Sequence, residues 1–266
     1  MKKKISFGAR LFMAAVLIFM YLPVVVVVAY SFNANESRNA IAFTGFTLKW
    51  YVELFTETRG VADAVVNTLQ LGLYSCLLSI VIGTLGAIGL TQQAATGRVS
   101  RFGKLAEALT TVPIMIPEII LGMAMMALFY LVDLPFGMLT LVMGHTTFCV
   151  PYILIVVKGR LAGMDPALAE AARDLGASPA RVMRDITLPL IAPGILSGAF
   201  LALAMSLDDL IISYFVTGAG MNTLPLMIYS SVKTGVSLKI NALCTVMLVI
   251  VFAVCAAVLL RKPKRA

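Results

Sequence analysis

The chain has 266 residues, 60% of them hydrophobic and 13% charged, with a formal net charge of +8. A water-soluble domain carries about twice that share of charged residues, so an ordinary soluble fold is excluded. The apolar segments are continuous rather than alternating, which excludes a membrane-spanning barrel.

Six apolar runs reach the roughly 20 residues that a helical bilayer crossing demands: Leu11–Tyr30, Ala64–Leu90, Leu105–Leu131, Met138–Val157, Leu190–Val216 and Asn241–Leu260. The first follows Lys2, Lys3 and Lys4 but is longer than a signal-peptide core and lacks a small-residue cleavage site, so it reads as a retained helix. Ser31 to Asp63 is a long polar segment in which Phe46, Trp50 and Tyr51 suit interfacial anchoring on a short surface helix. In the second run Gly83, Gly86 and Gly89 recur every third position and read as packing devices. In the third run Pro113 and Pro117 predict a break or kink. Cys76, Cys149, Cys244 and Cys255 have neither metal-ligand nor disulfide-framework spacing.

Basic residues fix an expected orientation. With the N-terminus inside, sixteen Lys and Arg fall on inside segments and five outside, so both termini and the loop between the fourth and fifth runs should face the cytoplasm. The positive charge is then a topology signal and not a nucleic-acid footprint.

That loop, residues 165–189, is the longest polar interruption in the second half of the chain. It reads as two short helices. Asp165 is a candidate N-cap before Pro166, and Gly176 suits the stop. Ser178 and Pro179 repeat the start signal, and Pro189 should close the second helix. Leu168, Ala171, Ala172 and Leu175 fall at helical spacing and predict one apolar stripe, beside the Glu170 edge.

Glu118, Asp208 and Asp209 lie inside predicted spans. An acid at membrane depth costs at least about 2.5–3.5 kcal/mol, so it faces a cavity, a partner or a helix end. Discontinuous helices are where transporters bind substrate groups. For Glu118 and Asp208 a cavity-facing role is favoured; for Asp209 a helix-end role stands beside it. Acids with no Lys or Arg inside the spans suit a cationic solute. His145, the sole histidine, is read as a packing residue hydrogen-bonded across helices, in preference to a proton relay.

Two enzymatic readings fail on spacing. The stretch from Gly97 to Leu105 resembles a phosphate loop, but its glycines are one residue too far apart and Leu105 replaces the magnesium-binding Ser or Thr. Ser197 with His145 could pair as in an intramembrane protease, but Gly194 is one position off the required spacing.

Glu170-Ala171-Ala172, Gly176 and Ile186-Thr187-Leu188-Pro189 together resemble the EAA motif of bacterial ABC importer permeases. Tyr30-Ser-Phe-Asn33, Lys49-Trp50-Tyr51, His145-Thr-Thr-Phe-Cys149, Ser206-Leu-Asp-Asp209 and Phe215-Val-Thr-Gly218 extend the likeness over nearly the whole chain to spermidine/putrescine permeases. Glu118 departs from it, standing where the resemblance leads one to expect aspartate.

The resemblance implies an all-α membrane protein with six transmembrane helices, in the MetI-like fold of type I importers with a cytoplasmic EAA coupling helix. It implies a tail, first helix and periplasmic segment over 1–63 and a five-helix core over 64–262. Leu168, Glu170, Ala171, Ala172, Leu175 and Gly176 would couple to an ATPase subunit, and Glu118, Asp208 and Asp209 would line the substrate pathway. The chain would bind no cofactor or metal itself, ATP and magnesium being held by the ATPase subunit, and would not be an enzyme. Its partners would be a second permease subunit, an ATPase dimer, an extracytoplasmic polyamine-binding protein and the inner-membrane bilayer, without nucleic acid. The same architecture serving an amino acid, an oxyanion or iron stays open as the alternative.

Overall fold

A computed structural model describes residues 6–35, 42–56, 59–95, 101–235 and 238–260. The basic residues Lys2–Lys4, Arg98 and those from Arg261 to Arg265, on which part of the orientation argument rests, lie outside the described residues, as does the segment 97–100 of the phosphate-loop lookalike.

Twelve α-helices are present among the described residues: α1 Phe7–Tyr30, α2 Lys49–Thr56, α3 Arg59–Ala95, α4 Arg101–Met115, α5 Glu118–Leu131, α6 Met138–Ala162, α7 Pro166–Asp174, α8 Pro179–Val182, α9 Leu188–Asp208, α10 Ile211–Val216, α11 Leu224–Thr234 and α12 Leu238–Leu260. The only extended pairing described is a single antiparallel bridge between Asn33 and Phe46. By length and apolarity, α1, α3, α6 and the continuous helical stretch Pro179–Asp208 each suffice to cross a bilayer. The pair α4 and α5 does so together, bent by 114° at its break, while the described apolar part of α12, Leu238–Ala253, is shorter. The bend falls where the sequence predicted it. Pro113 is tolerated inside α4, and the chain breaks at Ile116–Pro117.

The chain divides into two units, residues 1–62 with 228–266 and residues 63–227. In the first, no residue of α1 is buried, as expected of a helix solvated by lipid rather than by protein. The segment after it folds around the fully buried Asn33. The Asn33 side chain donates to the Ala42 carbonyl at 2.9 Å and accepts from the Thr44 N–H at 2.9 Å. Trp50 donates its ring N–H to the Asn33 carbonyl at 2.7 Å, and the Tyr51 and Ser31 hydroxyls meet at 2.6 Å. Phe46 stacks on Phe32 with centroids 5.2 Å apart. The aromatics expected as interfacial anchors therefore also hold α2 to the end of α1.

The second unit contains the main core, built on α6. Leu141, Cys149, Ile153 and Val157 of α6 are fully buried, with Ile191 and Ala202 of α9 and Ile212 and Val216 of α10 against the same core. Small residues let backbones approach. A Cβ at Gly83 would lie 2.9 Å from Ile153 Cβ and 3.1 Å from the Val150 carbonyl oxygen, and one at Gly198 would lie 3.2 Å from Ile153 Cα. Gly86 meets Leu154, but Gly89 has nothing within 4 Å among the described residues, so no packing role is seen there for the third glycine of the series.

Overpacking a core contact costs about 1–3 kcal/mol, whereas open positions tolerate change. Gly83→Leu should accordingly lower the thermal midpoint of the detergent-solubilised protein by several degrees, while Gly89→Leu leaves it within a degree or so. Differential scanning fluorimetry on the two variants checks the contrast.

Candidate functional site

The loop between α6 and α9 is built from local signals. The Asp165 carboxylate accepts the Ala167 N–H at 3.0 Å, and Pro166 occupies the first turn where its missing N–H costs nothing. At the other end of α7, Gly176 takes a φ of +84°, which a side chain would resist. This reversal lets the Gly176 N–H donate to the Arg173 carbonyl at 2.8 Å and the Ala177 N–H to the Ala172 carbonyl at 3.0 Å. That pair of bonds satisfies carbonyls that the helix end would otherwise leave open. Ser178 then caps α8, accepting the Arg181 N–H at 3.4 Å.

Pro189 does not close the second helix, contrary to the sequence expectation. It lies in the first turn of α9, and the chain runs helically from Pro179 to Asp208. Proline lacks an N–H and its ring crowds the carbonyl four residues back. The chain avoids that clash by widening to a π turn over Met183–Thr187, where the Leu188 N–H reaches the Met183 carbonyl, five residues back.

Of the residues expected to couple to a partner, Leu168, Glu170, Ala171, Leu175 and Gly176 are exposed and Ala172 is half-buried. Leu175 is 89% exposed. The opposite side of α7 is turned inward. Asp165, Pro166, Ala169 and Arg173 line a cavity of about 210 Å³ together with Ile88 and Thr91 of α3, Leu161 at the end of α6, and Val182.

At the other end of α6 and α9 lies a buried polar cluster. His145 of α6 is fully buried. Its Nδ1 lies 2.7 Å from Ser206 Oγ of α9, and its Nε2 lies 2.9 Å from Ser213 Oγ of α10 and 3.2 Å from Asp209 Oδ2. Ser206 Oγ is in turn 2.9 Å from Ser75 Oγ of α3. Asp209 sits in the break between α9 and α10, where its carboxylate accepts the Ile212 N–H at 3.3 Å and the Ser213 N–H at 2.8 Å. Four helices thus converge on one imidazole and one carboxylate. His145 is the cross-helix hydrogen-bonding residue the sequence suggested, and Asp209 marks a helix end.

The other two acids are differently placed. Asp208, the last residue of α9, and Glu118, the first of α5, are both exposed. α5 packs on α10, the helix that follows the break after Asp208: Gly122, one turn beyond Glu118, receives Phe215 of α10, whose ring carbon would lie 2.7 Å from a Cβ there. All three acids therefore stand at helix breaks, and only Asp209 has its carboxylate engaged by His145. The serines that complete the cluster were not singled out as a group from sequence. Their signal was helical spacing, with Ser206 three residues before Asp209 and Ser213 four after it. Among the described residues no group of three His, Cys, Asp or Glu side chains gathers to hold a metal.

Comparison with known proteins is consistent across sequence and structure. Residues 79–262 match the family described as the binding-protein-dependent transport system inner membrane component. The spermidine/putrescine transport system permease protein PotC of Haemophilus influenzae is 36% identical over 242 residues, covering 91% of each chain. PotC of Escherichia coli is 37% identical over 239 residues, covering 90% of this chain and 88% of that protein. The putrescine transport system permease protein PotI of Escherichia coli is 37% identical over 241 residues, covering 86% and 82%. Among solved structures, a chain of the inward-facing MetNI methionine ABC transporter superposes with a TM-score of 0.62 at 23% identity, over 73% of this chain and 89% of that one. A chain of a bacterial ABC transporter involved in the import of the acidic polysaccharide alginate gives 0.71 at 18% identity, over 93% and 91%. Those two show a shared fold, that of type I ABC importer permeases.

Removing an N-cap carboxylate costs about 1 kcal/mol of local helix stability. Asp165→Ala should therefore speed amide hydrogen exchange at the start of α7 about fivefold, leaving the α6 core unchanged, as mass spectrometry of the two peptides would register.

Proposed function

The chain belongs to the family of binding-protein-dependent transport system inner membrane components, and on that premise we propose that it is a permease subunit through which polyamines enter the cell. The observation that carries the reading is the full-length likeness to spermidine/putrescine permeases at 36–37% identity. The chemistry agrees with it. Glu118 and Asp208 are exposed acids at helix breaks, and an ammonium group leaving water needs an acidic or hydrogen-bonding partner. Successive weak sites allow a polycation to enter and also to leave. Asp209, engaged by His145 and by the start of α10, shapes the same break from its buried side.

In this reading the loop 165–189 faces the cytoplasm with both termini, following the sixteen-to-five bias of basic residues. The exposed edge of Leu168, Glu170, Ala171 and Leu175 docks in a groove of a separate ATPase subunit, with Ala172 anchoring the helix from beneath. Gly176 turns the chain sharply against that partner. ATP and magnesium are held and consumed by the ATPase dimer, so this chain performs no chemistry of its own. A second permease subunit completes the pathway, an extracytoplasmic binding protein delivers solute, and residues 64–262 form the transporting core. The outward-turned Leu168 and Leu175 give that edge apolar surface to bury against a partner.

Two measurements test the proposal in the assembled transporter reconstituted into vesicles. Uptake of radiolabelled spermidine or putrescine should exceed that of methionine or sulfate, and Glu118→Gln or Asp208→Asn should reduce it about tenfold or more. Wild-type uptake in both variants would remove the acids from the pathway, and preferred uptake of an anion would overturn the polyamine assignment. Gly176→Asp should abolish uptake while the protein still inserts in the membrane fraction, because an L-residue resists this φ and the added carboxylate disrupts the docking turn. Retained uptake would refute docking at this loop.

A further inference from the structure

Resting on the permease reading, we propose that His145 is the positioning residue through which movement of the α6–α9 loop reaches the acid-bearing break between α9 and α10. The two helices that enter and leave the loop are the same two that carry the polar cluster. From His145 to the end of α6 is roughly 26 Å, and α9 runs roughly 30 Å from Leu188 to Asp208. Between those ends α6 and α9 touch at successive levels. Nearest the loop, the Arg160 side chain occupies the space a Cβ at Gly194 would need. Then Gly198 admits Ile153, the Cys149 Sγ lies 3.4 Å from the Ala202 carbonyl oxygen, and His145 meets Ser206 at the far end. Pro151 lies inside α6, between the Ile153 and Cys149 contacts, where α9 braces it on both sides.

A packed pair of this kind moves as a unit, because close-packed side chains transmit displacement rather than absorb it. At its far end the unit stops: α9 breaks after Asp208, and α10 begins at Ile211. Two directed links join the unit to α10: Thr140 Oγ1 of α6 lies 2.7 Å from the Val216 carbonyl oxygen at the far end of α10, and at the break itself stands the His145 ring, with Ser206 of α9 on one nitrogen and Ser213 and Asp209 on the other. Asp209 is a carboxylate and can only accept, so the ring nitrogen beside it donates. With that carboxylate pinned, the neighbouring Cα of Asp208 is fixed at the about 3.8 Å of one peptide unit. A shift of α6 along its axis therefore moves the anchor of the break on which the exposed Asp208 stands. His145 touches no solute in this account. It sets where an acid that does so is held.

Amide side chains separate the two nitrogens. Glutamine at 145 can present an N–H near the Nε2 position, toward Asp209, whereas asparagine reaches only the Nδ1 position, toward Ser206. The experiment uses the full transporter in vesicles, comparing ATP hydrolysis without and with the binding protein loaded with spermidine, together with radiolabelled spermidine uptake. In His145→Ala the unstimulated hydrolysis should stay near the wild-type rate, while stimulation by the loaded binding protein and uptake each fall about tenfold or more. His145→Gln should restore most of both, and His145→Asn little. A merely structural histidine would lower assembly of the complex and all rates together, and would be rescued no better by Gln than by Asn. Should the Ala variant fail to assemble, the Gln and Asn pair decides alone: equal behaviour of the two refutes the inference. If the wild-type complex itself shows no stimulation by loaded binding protein, the permease reading has failed rather than the role of His145.

Discussion

A carboxylate buried in a lipid-embedded protein has no water to turn to, so its partners must come from the chain itself. Asp209 meets that constraint with two backbone N–H groups of α10 and the imidazole of His145. Much of the second unit's architecture follows. The backbone donors at the start of α10 are available only because the helix is interrupted after Asp208, so the break and the buried acid require one another. The imidazole must come from α6, which places α6 centrally, and its second nitrogen draws in Ser206, which meets Ser75 of α3. Were the imidazole removed, the buried carboxylate would keep only its two backbone donors, a costly loss for a charge in an interior.

The loop 165–189 obeys the opposite logic. Its order is local, with a cap at Asp165, a left-handed stop at Gly176, a second cap at Ser178 and a wide turn before Pro189. These signals act within a turn or two of chain, and one face of α7 stays exposed. Leu168 and Leu175 are spent on that face rather than on the core. In the proposed docking to an ATPase subunit, a helix already ordered by its own caps would lose little entropy.

Between the two ends, α3, α6 and α9 are held by close approach, with weak thiol bonds from Cys76 and Cys149 to α9 carbonyls. Glycines at 83 and 198 bring α3 and α9 against Ile153 of α6, and dispersion over such contacts replaces the hydrophobic drive that lipid withholds. The polar cluster supplies direction and the small residues supply stiffness. The fold thus joins a locally capped loop to an acid-bearing break through a packed pair of helices.

What could be read from the residues alone was whatever nearest neighbours decide. The apolar spans, the break at Pro117, the caps at Asp165 and Ser178 and the turn at Gly176 each depend on a few adjacent side chains, and the EAA pattern is a short string. Tertiary packing decided the rest. It carried α9 through Pro189 by a π turn, used Gly83 for close packing with no such role seen at Gly89, and gave His145 to Asp209, sixty-four residues away in the sequence. Local signals arise from steric and hydrogen-bonding preferences within one or two turns. The pairing of a histidine with a distant aspartate depends on how whole helices register against one another, and no short window of sequence contains that sum.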